Sequence, residues 1–488
     1  MKKKQGFIFL TAGTVICAII NFVYSVLSKR YVLPEELGIF STCMIVESYL
    51  SYLQLGSINA YNRDLPQLLG AGKTEEAKNL KNSVFTFLLV VYGATLVLGT
   101  LFFSVLYPII FGEELTFRYT FGYIVTVVAT VFSIFHNFGM STARINGKFN
   151  FSALAELVGS VVSVAVGIVA IILLRRTGYE YYGLYVRCIL MYAVPLLLYI
   201  GSFKGVRLKF DFKLIKPVLL SGIPLLINSF IWTIVTSIDK FVILAFLDTT
   251  ALGNYSVALL GFSTLVIIPK TISNVYYIKM NELYGATGSV EKLIEYAKHS
   301  TLINSIITCV TSICAFYILP IFIRIVMPGY AEGTAAAQII IIGVAIYSST
   351  FSFGHLFTVL KKNAQLIMNS VLLCVFNAVF SSALVLAFGA DINNVAIGTA
   401  LSYALYSILL ITRLRRLCGS DLKSMLRNSW LAVLCAIVPC LGFYFLSVWL
   451  SFSVYIAFAA SFIVMLALLA VFYHNDIKEL MTKKRGLL

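Results

Sequence analysis

Charge is scarce along these 488 residues: Asp, Glu, Lys and Arg make up 12% of the chain, hydrophobic residues 60%, and the mean hydropathy is +0.92. Soluble domains carry about 25% charged residues, so a water-exposed globular fold is excluded. Histidine numbers only four and cysteine nine. The closest cysteine pairs, Cys309 with Cys314 and Cys435 with Cys440, lack metal-ligand spacing and flanking His, so they are expected to be core thiols and no metal site is expected. No nucleotide-binding loop is present either. Gly70-Ala71-Gly72-Lys73-Thr74 resembles the end of one, but Gln67 occupies the earlier glycine position and no strand precedes it. The segment is expected instead to be a glycine helix stop followed by a short cytoplasmic helix, with Thr74 and, in the related segment near Gly285, Ser289 as N-caps. Paired carboxylates at glycosidase geometry, a nucleophile elbow and a long hydrophilic loop are all missing, which argues against an enzyme.

What is there is hydrocarbon. A spanning helix needs about 20 mostly apolar residues, and the first half offers six such stretches, near 6–28, 37–59, 83–107, 117–141, 151–174 and 180–201. Six more follow near 217–247, 252–278, 300–325, 333–360, 364–389 and 394–412, then two near 428–450 and 452–474. The expected fold is therefore all-α, a polytopic membrane protein of fourteen spans. The run after Lys2, Lys3 and Lys4 is expected to stay as the first span, because it is longer than a signal-peptide core and has no small-x-small cleavage site.

The two sets of six are related by one register. Gly38, Gly70, Gly139 and Gly183 recur 215 residues later as Gly253, Gly285, Gly354 and Gly398, and Tyr61 faces Tyr276 at the same offset. Six spans return the chain to its starting side, so the repeat is parallel, the arrangement of transporters whose lobes rock around a midplane site. The organisation expected is a first lobe over 1–203, a basic cytoplasmic linker over 204–216, a second lobe over 217–420, and two extra helices with a cytoplasmic tail over 421–488.

Orientation follows from the basic residues. The N-terminus, the even-numbered loops and the C-terminus hold 28 of the 37 Lys and Arg, and the opposite loops hold six. Both termini are thus expected in the cytoplasm. The +16 net charge is this topology signal, and its dispersal over separate loops argues against nucleic-acid binding.

Function is sought among groups that hydrocarbon rejects, since a charge at a helix centre costs roughly 2.5–3.5 kcal/mol on insertion scales. Glu47, Glu156, Arg187, Asp239, Lys240 and Lys270 fall inside expected spans, with Arg30 and Arg63 near span ends. Helical spacing aligns Thr14, Asn21, Ser25 and Ser28 in the first span and Glu47, Ser51, Gln54 and Tyr61 in the second. It does the same for Asn228, Trp232, Thr236 and Asp239 in the seventh, and for Ser256, Ser263, Lys270 and Asn274 in the eighth. For each charge an ion pair with a neighbouring helix or snorkelling to the interface is the structural alternative. His136 and His355 are isolated and are assigned packing or hydrogen-bonding roles.

Leu37-Gly38-Ile39-Phe40-Ser41 and Leu252-Gly253-Asn254-Tyr255-Ser256, together with Ser237-Ile238-Asp239-Lys240, resemble the polysaccharide flippases of the Wzx type. These belong to the multidrug/oligosaccharidyl-lipid/polysaccharide exporter superfamily, and the resemblance extends over residues 1–420. It implies translocation of an undecaprenyl-pyrophosphate-linked oligosaccharide repeat unit across the bacterial plasma membrane by alternating access, for O-antigen or capsule assembly, with polysaccharide polymerase machinery as a further partner. Such a carrier needs cations for the phosphates and hydroxyl, amide and aromatic groups for the sugars, while the polyprenyl tail stays among the membrane lipids. Arg30, Arg63, Arg187, Lys240 and Lys270 are assigned to the phosphates or to cavity electrostatics, and Asn21, Gln54, Tyr61, Asn228 and Trp232 to the sugars. Glu47, Glu156 and Asp239 are the candidates for ion coupling, with H+ or Na+ as the ion and no other cofactor.

Three other readings use the same features. A cation-coupled multidrug antiporter of the superfamily would present a carboxylate in the first span, and residues 7–28 contain none. A polymerase or ligase would carry a long polar external loop. A lipid II flippase shares the fourteen spans and the cationic cavity, and the sequence separates it poorly.

Overall fold

The computed structural model describes residues 2–111, 116–418 and 422–482, and among these there is helix and no strand. Helices α1 (Lys2–Tyr31), α2 (Pro34–Leu50), α3 (Ser57–Gly70), α4 (Thr74–Leu101), α5 (Tyr107–Phe111), α6 (Thr116–Ile145), α7 (Phe149–Leu174) and α8 (Tyr182–Leu198) precede a basic connection. After it come α9 (Phe212–Phe246), α10 (Thr249–Thr287), α11 (Val290–Val326), α12 (Thr334–Ser348), α13 (Phe351–Val359), α14 (Asn363–Phe388) and α15 (Ile392–Cys418). The chain ends with α16 (Leu422–Leu426), α17 (Ala432–Trp449) and α18 (Val454–Thr482). It forms two compact units, one through Ser237 and one from Ile238 on.

Twelve helical segments among the described residues are long and apolar enough to cross a membrane, so the chain is a multi-pass membrane protein. The first two of the fourteen expected spans are not among the twelve. The side chains of α1 up to residue 12 lie outside the described residues. The span expected over 37–59 is not one rod, because α2 stops at Leu50. A tight turn over Ser51–Gln54 follows, and Leu55 and Gly56 take left-handed φ of 49° and 76°. The buried Tyr92 of α4 fixes this break: its phenol accepts the Gln54 N–H at 3.1 Å and donates to the Ser51 carbonyl at 3.0 Å. The face expected to run from Glu47 to Tyr61 is therefore interrupted.

The Gly70 region also differs from expectation. Helix α3 does end at Gly70, and Gly72 takes φ 72°. Thr74, however, starts no short helix: α4 runs on unbroken into the third span, and no side chain caps its start. In the second unit the helix passes through Gly285 and stops at Gly288, and Ser289 does cap α11, accepting the Lys292 N–H at 3.3 Å.

In the first unit the residues after α8 are strapped to α4. The backbone N–H groups of Arg207 and Lys209 donate to Asn82 Oδ1 and Thr86 Oγ1, each at 3.0 Å, and Lys81 Nζ donates to the Ser202 carbonyl at 2.7 Å. The start of α9 packs against the α2–α3 break. A methyl group added at Gly222 would stand 2.3 Å from the Gly56 carbonyl oxygen. Tyr52 donates to the Ser229 carbonyl at 2.9 Å, and Arg63 Nη2 donates to Ser221 Oγ at 2.8 Å.

In the second unit α17 and α18 pack on α11 and α12. Ala436, Cys440 and Met465 bury against Cys309 and Phe316, and the Tyr317 hydroxyl donates to the Cys440 carbonyl at 3.0 Å. All eight cysteines among the described residues are free thiols, five of them buried.

Two of the repeated glycines have a shared cause. A Cβ at Gly183 in α8 would meet the Ile171 backbone nitrogen at 2.8 Å, and a Cβ at Gly398 in α15 would meet the Ser381 Cα and nitrogen at 2.5 Å. Both mark the point where a helix crosses its predecessor backbone to backbone, the small-residue contact that lets membrane helices approach closely. Gly70 and Gly285 have open space. Gly183→Ala and Gly398→Ala are thus expected to cost about 1–3 kcal/mol of stability each by overpacking, while Gly70→Ala and Gly285→Ala leave it unchanged or raise it. Thermal unfolding of the purified variants in one detergent checks the contrast.

Candidate functional site

The polar groups within the spans fall into separate clusters, each held by a different set of helices. In the first unit Arg187, on α8, projects toward α1. Its guanidinium donates to Asn21 Oδ1 at 2.5 Å and lies 4.3 Å from the centre of the Tyr24 ring. Its Nε is buried without a partner, and among the described residues no carboxylate pairs with it. Asn21 Nδ2 donates to the Cys17 carbonyl at 2.8 Å. The result is a cation in a spanning helix balanced only by a neutral amide and an aromatic face.

Glu47, on α2, accepts from the Tyr192 hydroxyl of α8 at 3.1 Å. Glu156, on α7, is bound at 2.8 Å to His136 Nε2 of α6 and accepts from Tyr199 at 3.0 Å. Tyr199 is fully buried and also meets Ser152 Oγ at 3.0 Å. This cluster ties α6, α7 and the end of α8 together, and His136 has the hydrogen-bonding role expected of it.

In the second unit Asp239, on α9, is 7% exposed and surrounded by donors. Tyr255 of α10 donates to Oδ2 at 2.7 Å. Asn377 of α14 and Thr399 of α15 donate to Oδ1 at 2.7 and 2.9 Å. Asn377 Oδ1 in turn accepts from Ser381 Oγ at 2.9 Å, and Ser381 reaches the Val395 carbonyl at 3.2 Å. Lys240, next along α9, offsets part of the Asp239 charge. The oxygens of Asp239, Asn377, Ser381, Thr399 and Val395 thus converge in one buried place. The sequence pointed to Asp239 alone. Asn377 and Ser381, four residues apart on one face of an uncharged span, carried the signal for the rest.

The remaining expected site residues are scattered. Tyr61 is fully buried in the α3–α4–α6 core, stacked on Phe138 at 5.1 Å and bonded to Thr142 Oγ1 at 2.8 Å. Gln54 spends its side-chain oxygen on the Ile58 N–H at 3.3 Å, capping α3. Arg63 is exposed and paired with its neighbour Asp64 at 2.6 Å. Arg30 is exposed at the end of α1, and the partners of Arg63 are Asp64 and Ser221. Lys270 is exposed on α10 and Trp232 is 38% exposed on α9. Asn228 lies in α9 with its side chain outside the described residues. On α9 the expected face splits, with Trp232 and Thr236 exposed and Asp239 buried. Among the described residues no group of His, Cys, Asp and Glu could hold a metal ion.

Comparison with known proteins fits this architecture. Residues 27–304, more than half of the chain, match the model of the family described as "Polysaccharide biosynthesis protein". No curated protein matches the chain in sequence. Among solved structures, an inward closed conformation of the lipid II flippase MurJ superposes with a TM-score of 0.73 at 15% identity, covering 96% of this chain and 100% of that one. An inward-facing multidrug resistance MATE family transporter of the MOP superfamily gives a TM-score of 0.67 at 15% identity, over 86% of this chain and 99% of that one. A MOP superfamily transporter from Pyrococcus furiosus, described as having a binding pocket of reversed polarity, gives 0.57 at 15% identity over 86% and 97%. At such identities the likeness is one of fold. With residues 27–304 matched, the chain belongs to the polysaccharide biosynthesis protein family, and its fold is shared with MurJ and the MATE transporters.

Proposed function

We propose that the protein translocates undecaprenyl-pyrophosphate-linked oligosaccharide repeat units from the cytoplasmic to the outer leaflet of the bacterial plasma membrane, by alternating access, for cell-surface polysaccharide such as O-antigen or capsule. Both termini face the cytoplasm in this reading, in line with the 28 basic residues on that side. The observation that carries the substrate class is Arg187. A membrane-embedded guanidinium with a buried unpartnered Nε and only Asn21 and Tyr24 against it is a preformed seat for an anion. A multidrug carrier of organic cations would be repelled by that charge. The pyrophosphate supplies the missing negative charge, Asn21 and Trp232 offer amide and aromatic contacts to sugar, and the tail remains in lipid.

Ion coupling falls to Asp239 first. A lone carboxylate with four further oxygens around it suits a hard cation or a proton, and its donors come from three other helices, so its occupancy would bear on how α9, α10, α14 and α15 pack. Glu47 and Glu156 are the other candidates. Polymerase machinery is the partner that would receive the exported unit.

Two outcomes follow. In cells lacking the protein, lipid-linked oligosaccharide should accumulate on the cytoplasmic face and be cleared by wild type. Arg187→Gln should clear it at least tenfold more slowly, and equal clearance would remove the phosphate role. If the lipid II pool accumulates instead, the substrate is lipid II. Asp239→Asn should flatten the dependence of transport on the Na+ or pH gradient in proteoliposomes. Whichever gradient loses its effect identifies the ion, and unchanged dependence on both would acquit Asp239.

A further inference from the structure

At the end of the first unit where α2, α6 and α8 begin, a pocket of about 710 Å³ opens to solvent, within the roughly 300–1,000 Å³ of small-molecule sites. None of the groups assigned above to transport lines it. One wall is Tyr179, Tyr181 and Tyr182 from the segment that enters α8, the other is Phe117, Arg118 and Tyr119 of α6, and Glu35 and Ile39 of α2 complete the lining. The rings are not scattered. Tyr181 and Tyr182 lie 4.5 Å apart, Tyr182 meets Phe121 edge-on at 4.8 Å, and Phe117 and Tyr179 present open faces, 70% and 52% exposed.

The one cation in the lining is already paired. Arg118 is bonded to the buried carboxylate of Glu36 and lies 5.5 Å over the Tyr181 ring, while Glu35 leaves a further acid on the rim. A phosphate would find Arg118 already paired and an acid beside it. A neutral, polyhydroxylated ring fits better. The C–H faces of a pyranose pack on aromatic faces, and its hydroxyls bond phenols, carboxylates and a planar guanidinium.

We propose that this pocket binds the saccharide part of the exported conjugate, a neutral pyranose oligosaccharide, on the outer side of the membrane. The assignment rests on the flippase reading for its substrate and its orientation. It is separate from the headgroup seat at Arg187, which lies within the span of α8. The pocket would hold the sugar after release and disfavour its return. Tyrosines at a membrane end can also form an interfacial belt, but a belt faces lipid and needs no concave site with an ion pair in it.

The test uses the full chain in lipid nanodiscs and, as probe, the oligosaccharide freed by mild acid from the lipid-linked pool of cells that express the protein. Saturation-transfer NMR should show the probe on wild type. A Phe117→Ala, Tyr179→Ala double variant should bind at least tenfold more weakly with an unchanged thermal midpoint, both side chains being exposed. Arg187→Gln should bind the probe as wild type does. Probe binding should occur on right-side-out vesicles and not on inside-out ones. Equal binding by wild type and the double variant, no binding by wild type, or binding only to inside-out vesicles would overturn the proposal. So would capture of tetramethylammonium in place of the sugar, which would make the pocket a cation cage. Translocation assayed in parallel separates the two readings: transport without probe binding removes the pocket alone, and probe binding without transport removes the flippase reading and leaves a sugar-binding site.

Discussion

An ionised side chain in hydrocarbon must be neutralised by something within reach, and most of this molecule's polar architecture answers that requirement. Glu156 is answered by His136 and Tyr199, and Asp239 by Tyr255, Asn377 and Thr399. In each case the partners come from other helices, so one charge fixes the mutual placement of three or four spans. The bonds are few, but with no water to compete each is held where a soluble protein would exchange it. Arg187 departs from this pattern, because its partners are an amide and a ring and its Nε has none. Its Nε is thus a buried donor that no described residue satisfies.

The two repeats distribute this chemistry unequally. The first unit holds the unmatched cation, and the second holds the oxygen cluster around Asp239. The two units thus hold different polar chemistry, a guanidinium in one and a buried carboxylate in the other. The last two helices take no part in either cluster. They thicken the second unit by covering α11 and α12 with an apolar layer.

Much of the fold was legible because hydrocarbon imposes a simple grammar: long apolar runs, basic residues on one side, glycines at one offset. What escaped were features decided by contact across helices. Tyr61 shares a helical face with Glu47 on paper, but the left-handed Leu55 and Gly56 turn the chain between them and send the phenol into a packed core. Thr74 follows two glycines and has every mark of a helix start, and α4 does begin there, yet nothing in the sequence told that it would continue into the membrane. Asn377, Ser381 and Thr399 carry no charge, so a search for charge passed over them although they surround the most buried acid found. The tyrosine pocket was missed for the opposite reason, since its residues lie between spans, where polar aromatics attract no notice until three helix starts bring them together.

Gly183 and Gly398 carry a consequence for how the two halves can diverge. Each solves one geometric problem, a backbone passing a backbone, but against different neighbours, Ile171 in one half and Ser381 in the other. The side chains facing the crossing are thus free to specialise, and in the second half that freedom let a hydroxyl enter the oxygen cluster beside Asp239. The close approach is the same in both places, and the chemistry that surrounds it is not.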